Sequence, residues 1–254
     1  MNASHSSTRP EVKSGHPQAQ GLYDPRYEKD ACGVGFVCNT GGQTSHAIVE
    51  QGIEVLTNLL HRGASGADAN TGDGAGILVQ IPDRFFRAAC TPLGIALPPA
   101  GEYGVGIMFM PLDPSARQTC RDVVERTLQA EDLHLLGWRE VPTDESALGD
   151  AARQSRPAVW QCFVAHQGCE EDAFERRLYV ARRSCEKAVA EALAGKTGFY
   201  VPSFSARTVV YKGLMMATQV PAFYPDLNDP LFESALAVVH QRYSTNTFPS
   251  WELA

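Results

Sequence analysis

Seven short apolar runs, set between helical patterns, limit what this chain can fold into more than any other feature. They read CGVGFVC (32–38), AGILVQI (75–81), YGVGIMFM (103–110), LLGWREV (135–141), AVWQCFVAH (158–166), ARTVVYKG (206–213) and ALAVVHQRYS (235–244). Each has strand length and is bounded by turn-forming residues. Between them lie four helical patterns. In GGQTSHAIVEQGIEVLTNLLHRG, Ile48, Gly52, Leu56 and Leu60 recur at helical spacing, Thr44 or Ser45 is placed to cap, and Gly63 ends the pattern. PDRFFRAAC opens with Pro82 and Asp83 as start signals. PSARQTCRDVVERTLQAED and EDAFERRLYVARRSCEKAVAEAL are amphipathic. The stretch around Asp144 to Arg156 reads as a polar loop. Strands outnumber helices, and hairpin-like neighbours occur. The pattern therefore predicts an α+β fold with largely antiparallel sheets covered by helices, against the alternative of a doubly wound parallel sheet.

Residues 1–31 break this pattern. They are rich in Ser, His, Gln, Pro and charge, and bury too little apolar surface to fold. They lack the apolar core of a secretory signal, and their acidic residues argue against a transit peptide. The expected organisation is a disordered or removable leader, 1–31, followed by a folded part, 32–254. The net charge of −7 supplies no basic field for nucleic acid. No apolar run approaches the ~20 residues of a membrane span. The expected location is cytoplasmic, with no nucleic-acid or membrane partner.

The seven cysteines include no C-x-x-C pair, which disfavours a zinc site, a local iron–sulfur loop and a disulfide framework. Most are expected to be small buried hydrophobes. Cys32 stands apart, because it sits where order begins, before Gly33 and Gly35. One reading makes it a core residue of a glycine-bearing strand. The other makes it a nucleophile. A thiol with an ordinary pKa of ~8.5 needs a base. Cleavage of the Ala31–Cys32 bond would supply one, since a free α-amino group titrates at about 7.7–8.0. One residue then carries nucleophile and base together, whereas before cleavage that nitrogen is an amide and accepts no proton.

Two further stretches carry candidate chemistry. HRGASGADANTGDGAG (61–76) is either a pocket lining that exploits glycine or a long tight loop; it matches neither the dinucleotide nor the phosphate-loop spacing. Asp73, between two glycines, reads as a turn residue. HQRYSTNTFPSW (240–251) delivers Arg242 and the cluster Ser244, Thr245, Asn246 and Thr247. The planar fork of Arg242 suits a carboxylate, and the hydroxyls and amide beside it suit an amino-acid head group. The plainer reading is a surface Arg and a Ser/Thr turn. His61 and His240 read as structural histidines, and no metal site is built from them.

Taken together, ACGVGFV, LLHRGASGADANTGDGAGILVQIPDRFF, SARTVVYKGLM and ALAVVHQRYSTNTFPSW resemble the amino-terminal glutaminase domain of the glutamate synthase large subunit. That domain is a class II glutamine amidotransferase of the N-terminal-nucleophile hydrolases. The resemblance runs from about Tyr27 to the last residue. It implies a four-layer αββα fold, and removal of residues 1–31 to expose Cys32 as the nucleophile with its own α-amino group as base. It implies substrate contacts from Arg242, Thr245 and Asn246, with His61, Arg62 and Gly63 flanking the pocket. It implies glutamine as substrate, with FMN and a [3Fe–4S] cluster in the rest of the complete enzyme, and a reductase subunit as partner. It also implies incompleteness at the C-terminus: the chain stops before the family's Asn-Gly oxyanion pair and its amino-group Asp, which makes activity of this length of chain doubtful. The alternatives are a non-catalytic interaction remnant, or the glutaminase domain of another amidotransferase of the class, such as the one feeding purine synthesis.

Overall fold

The computed structural model describes residues 19–21, 24, 33–66, 68–166, 168–194, 198–242 and 248–254. The chain divides into two compact units, 1–31 and 32–254. Among the described residues, the second unit holds eight strands: β1 (Gly33–Cys38), β2 (Ala75–Gln80), β3 (Tyr103–Met110), β4 (Leu133–Glu140), β5 (Ala158–His166), β6 (Tyr200–Ser205), β7 (Thr208–Gly213) and β8 (Leu236–Gln241). Its α-helices are α1 (His46–Asn58), α2 (Asp83–Cys90), α3 (Pro114–Ala130), α4 (Asp150–Gln154), α5 (Glu171–Ala192) and α6 (Val220–Phe223).

The strands form two four-stranded sheets, in the orders β1-β8-β2-β7 and β4-β5-β3-β6. Every recorded strand pairing is antiparallel. This establishes the α+β class and removes the doubly wound alternative. Crossovers of the βαβ kind would have produced parallel neighbours.

Burial explains which runs became central strands. β3 is buried at all of its positions, so its sequence is an unbroken apolar run. One of its faces, with Met108 and Met110, joins Cys162 and Val164 against Val124 and Leu128 of α3 and Phe174, Leu178 and Cys185 of α5. The other face, with Val105, Ile107 and Phe109, enters a second core with Ile77, Val79, Val209, Tyr211, Ala237 and Val239 of the first sheet. Each such side chain contributes about 1.5–3 kcal/mol on burial. Helix α1 lies against the first sheet through Ile48, Val49, Gly52 and Leu56. Gly35 permits this: a Cβ there would come within 2.5 Å of Cγ1 of Val55. Along β1 the alternate residues Val34 and Phe36 remain 64% and 68% exposed.

A buried polar network ties the two sheets together. Arg139 of β4 donates from Nη2 to Oδ1 of Asp226 at 2.7 Å and from Nη1 to Oδ2 at 2.8 Å. It also donates to Oε1 of Gln161 on β5. Tyr211 of β7 donates to Asp226, and Gln161 donates to Tyr211, each at 2.9 Å.

Four sequence expectations need correction. Strand β6 is not among the seven apolar runs. Its Pro202 argues against a central strand, but β6 lies at a sheet edge with an irregular register, where proline is tolerated. The stretch around 144–156 is not all loop: it holds a 3₁₀ turn at Glu145–Ala147 and the short helix α4. Helix α1 stops at Asn58, and a 3₁₀ turn over Leu60–Arg62 intervenes before Gly63, which leaves Leu60 exposed. Ser45 is the N-cap of α1 but makes no side-chain capping bond.

Candidate active site

One end of the first sheet gathers the three stretches singled out from the sequence. Strand β8 lies between β1 and β2, and its last ladder residue, Gln241, faces Gly33 on one side and Ala75 on the other. The chain therefore places the start of β1, the 61–74 segment and the end of β8 side by side. Gly33 is the residue that follows Cys32. A Cβ on Gly33 would lie 3.0 Å from Cβ of Arg62, and a Cβ on Gly63 would lie 2.1 Å from Nε2 of Gln241. Both glycines are there because another residue occupies the space.

Arg242 is held at the junction. Its φ of 63° lies in the left-handed region, which costs a non-glycine residue about 1–2 kcal/mol. Its backbone N–H donates to the carbonyl of Gly74 at 2.7 Å. Its Nε stands 3.0 Å from Oδ2 of Asp73, with side-chain exposures of 33% and 10%. The N–H is not aligned well enough to make this a hydrogen bond, so the contact is an ion pair set by proximity. Asp73 is thus more than a turn residue: it is buried, and its own N–H is anchored on the carbonyl of Ala64.

Other expected residues fall around this junction. His61 is exposed, with Nδ1 3.0 Å from the carbonyl of Asn58. Arg62 and Gly63 line the approach to Gly33 and Gln241. Cys32, Thr245 and Asn246 lie outside the described residues. His240 projects from the opposite face of β8 against Gly76. Burial, reinforced by the charge of Lys212, pushes its imidazole down to about 4, so it is neutral at physiological pH. Burial and the charge of Arg182 likewise bring Lys212 down to about 8, and its Nζ donates to the carbonyl of Glu252.

Gln241 escaped the sequence reading. It is fully buried, and neither side-chain polar atom has a hydrogen-bond partner. The signal was present: at period two, Ala237, Val239 and Gln241 share one face of β8, so a polar residue occupies an apolar position at the strand end.

A family model for the class-II glutamine amidotransferases matches residues 32–254. The chain belongs to this family. Within this class-II amidotransferase, similarity to curated proteins is extensive. The glutamate synthase [NADPH] large chain of Bacillus subtilis is 46% identical over 94% of this chain. The ferredoxin-dependent glutamate synthase 2 of Synechocystis is 42% identical over 89%, and the glutamate synthase [NADH] of Schizosaccharomyces pombe 43% identical over 94%. The chain spans 16%, 14% and 11% of the lengths of those three proteins. Their names carry three different electron donors.

The amidotransferase's thiols divide by environment. Burial pushes Cys90 and Cys120 up to about 11 and Cys185 to about 12, and raises Cys162 as well. None of these is a thiolate at neutral pH, so none is a competent nucleophile. They fit the expectation of small buried hydrophobes. Cys38 is exposed and Cys169 half-buried. Among the described residues, no three His, Cys, Asp or Glu side chains converge as a metal cradle. Among those residues, no helix is long and apolar enough to cross a membrane.

Proposed function

We propose that this chain is the glutamine-hydrolysing domain of a glutamate synthase large chain, with Cys32 as its nucleophile after removal of residues 1–31. The observation that carries this reading is the meeting of Gly33, Arg62–Gly63, Asp73–Gly74 and Arg242 at one sheet end. These segments are far apart in sequence. Their convergence supports reading this sheet end as the glutamine site.

The chemistry follows from the groups. The α-amino group of the processed Cys32 takes the thiol proton; their ordinary pKa values, about 7.7–8.0 and ~8.5, make that transfer nearly level. The thiolate attacks the side-chain amide carbon of glutamine. The α-ammonium group passes that proton to the amide nitrogen as the tetrahedral adduct collapses, so ammonia leaves and a γ-glutamyl thioester remains. Water, giving a proton to the α-amino group, then attacks the thioester carbon, and that proton passes to the sulfur as glutamate departs. Arg242 takes the α-carboxylate of glutamine, with Thr245 and Asn246 about the head group and His61, Arg62 and Gly63 flanking the pocket. FMN, a [3Fe–4S] cluster and a reductase partner belong to the rest of a complete synthase, which works in the cytoplasm. No step above passes through them.

The test uses a diazo-ketone analogue of glutamine. It is expected to alkylate Cys32 in chains whose first residue is Cys32, and to spare chains that retain Met1. Mass mapping of the adduct to another cysteine, or equal labelling of unprocessed chain, overturns the assignment. The competing non-catalytic reading predicts no adduct at Cys32 in either form.

A further inference from the structure

We infer that Asp73 is a positioning residue for substrate recognition: its charge beside Nε holds the Arg242 guanidinium and leaves the Nη1–Nη2 edge for a substrate carboxylate. The inference rests on the reading of Arg242 as the carboxylate clamp and extends it to a second residue. A guanidinium can take a bidentate carboxylate at either of two edges, Nε with one terminal nitrogen or the two terminal nitrogens together. In the structure the Asp73 carboxylate lies 3.0 Å from Nε, off the N–H direction, and its charge bars a second carboxylate from the Nε side. Among the described residues nothing else engages the Arg242 side chain, and both Asp73 oxygens lack hydrogen-bond partners. A carboxylate that is 10% exposed and has no hydrogen bonds of its own is costly to bury unless the neighbouring cation is its purpose.

The backbone makes the same arrangement rigid. Arg242 is turned into the left-handed region at the exit of β8, and its N–H is tied to Gly74, the residue next to Asp73. Asp73 is tied in turn to Ala64. The cation and its counter-charge are therefore clipped to one another twice, through the main chain and through the side chains. A long, flexible arginine held in this way loses less freedom when a ligand arrives. The Asp73 charge also sets a limit: a ligand carboxylate arriving at the Nε edge would meet a like charge, so approach is confined to the terminal nitrogens.

The test compares Asp73→Asn, Asp73→Glu and Arg242→Ala with the parent, all in a complete glutamate synthase large chain that carries this domain and begins at Cys32. The readouts are steady-state glutaminase kinetics on glutamine and on 4-aminobutanamide, which has the reacting amide but no α-carboxylate. Asp73→Asn is expected to raise KM for glutamine about ten- to a hundredfold with kcat within a few-fold, to leave KM for 4-aminobutanamide unchanged, and to be partly rescued in Asp73→Glu. A merely structural role would raise both KM values or lower kcat on both substrates, and would overturn the inference. If Arg242→Ala raises KM for glutamine and Asp73→Asn does not, the clamp stands and the role of Asp73 falls. If Arg242→Ala leaves KM for glutamine unchanged, the clamp reading itself falls, and this inference with it.

Discussion

Replacing Asp226 with alanine removes the acceptor at the centre of the network that joins the two sheets. Arg139 and Asp226 have side chains only 8% and 4% exposed, so solvent cannot take over the missing contacts. Arg139 would keep Gln161 as its remaining partner, and Tyr211 would lose an acceptor. Leaving a buried guanidinium uncompensated costs about 3–5 kcal/mol, and the orphaned hydroxyl adds about 1 kcal/mol. The total is comparable with the whole stability of many domains, about 5–15 kcal/mol. In urea, with a slope of about 2 kcal/mol per molar, the midpoint is expected to fall by roughly 2 M or more. The companion variant Arg139→Met/Asp226→Leu removes both charges at similar volume, and Gln161 and Tyr211 still bond to each other. Its expected midpoint falls by only about 0.5 M, since apolar replacement of a buried pair is often neutral and the orphaned Tyr211 hydroxyl still costs about 1 kcal/mol. Urea unfolding followed by far-UV circular dichroism measures both. A double variant as unstable as the sum of its two single changes would refute the reasoning, as would an Asp226→Ala cost below 1 kcal/mol.

Acid is expected to weaken the fold through His240. Its folded value, about 4, lies below the ordinary 6.5, so the unfolded chain binds the proton first and stability drains away as pH falls from 6.5 to 4. The loss is about 2–3 kcal/mol for this half-buried group, and His240→Gln should flatten that part of the stability–pH curve measured by thermal melts. Gly35→Ala should destabilise by about 1–3 kcal/mol through overlap with Val55; Gly35→Ala/Val55→Ala should recover part of that, and equal melting temperatures for the two variants would show that helix α1 does not press there. A thiol reagent at pH 8 should modify Cys38 in the folded chain while Cys90, Cys120, Cys162 and Cys185 react only after unfolding; rapid modification of any of those four by peptide mapping would contradict their burial.

Seven of the eight strands were legible because strand burial writes itself as apolar runs, most plainly in β3. β6 was not legible, because its proline is acceptable only at an edge, and edge position is a property of the assembled sheet. The same division holds at the site. The sequence alone marks Cys32 as the thiol at the threshold of order, and Arg242 as a cation delivered by a strand. It also makes the fold α+β, since periodicity is a local property. It cannot show that Gly33 meets Arg62, that Gly63 meets Gln241, that Asp73 is a counter-charge to Arg242 rather than a turn residue, or that Gln241 is sealed in without partners. Those facts come from β8 lying between β1 and β2. Strand order and ladder register set which distant residues share a few ångströms, and that pairing depends on the packing of the whole core rather than on any local stretch of chain.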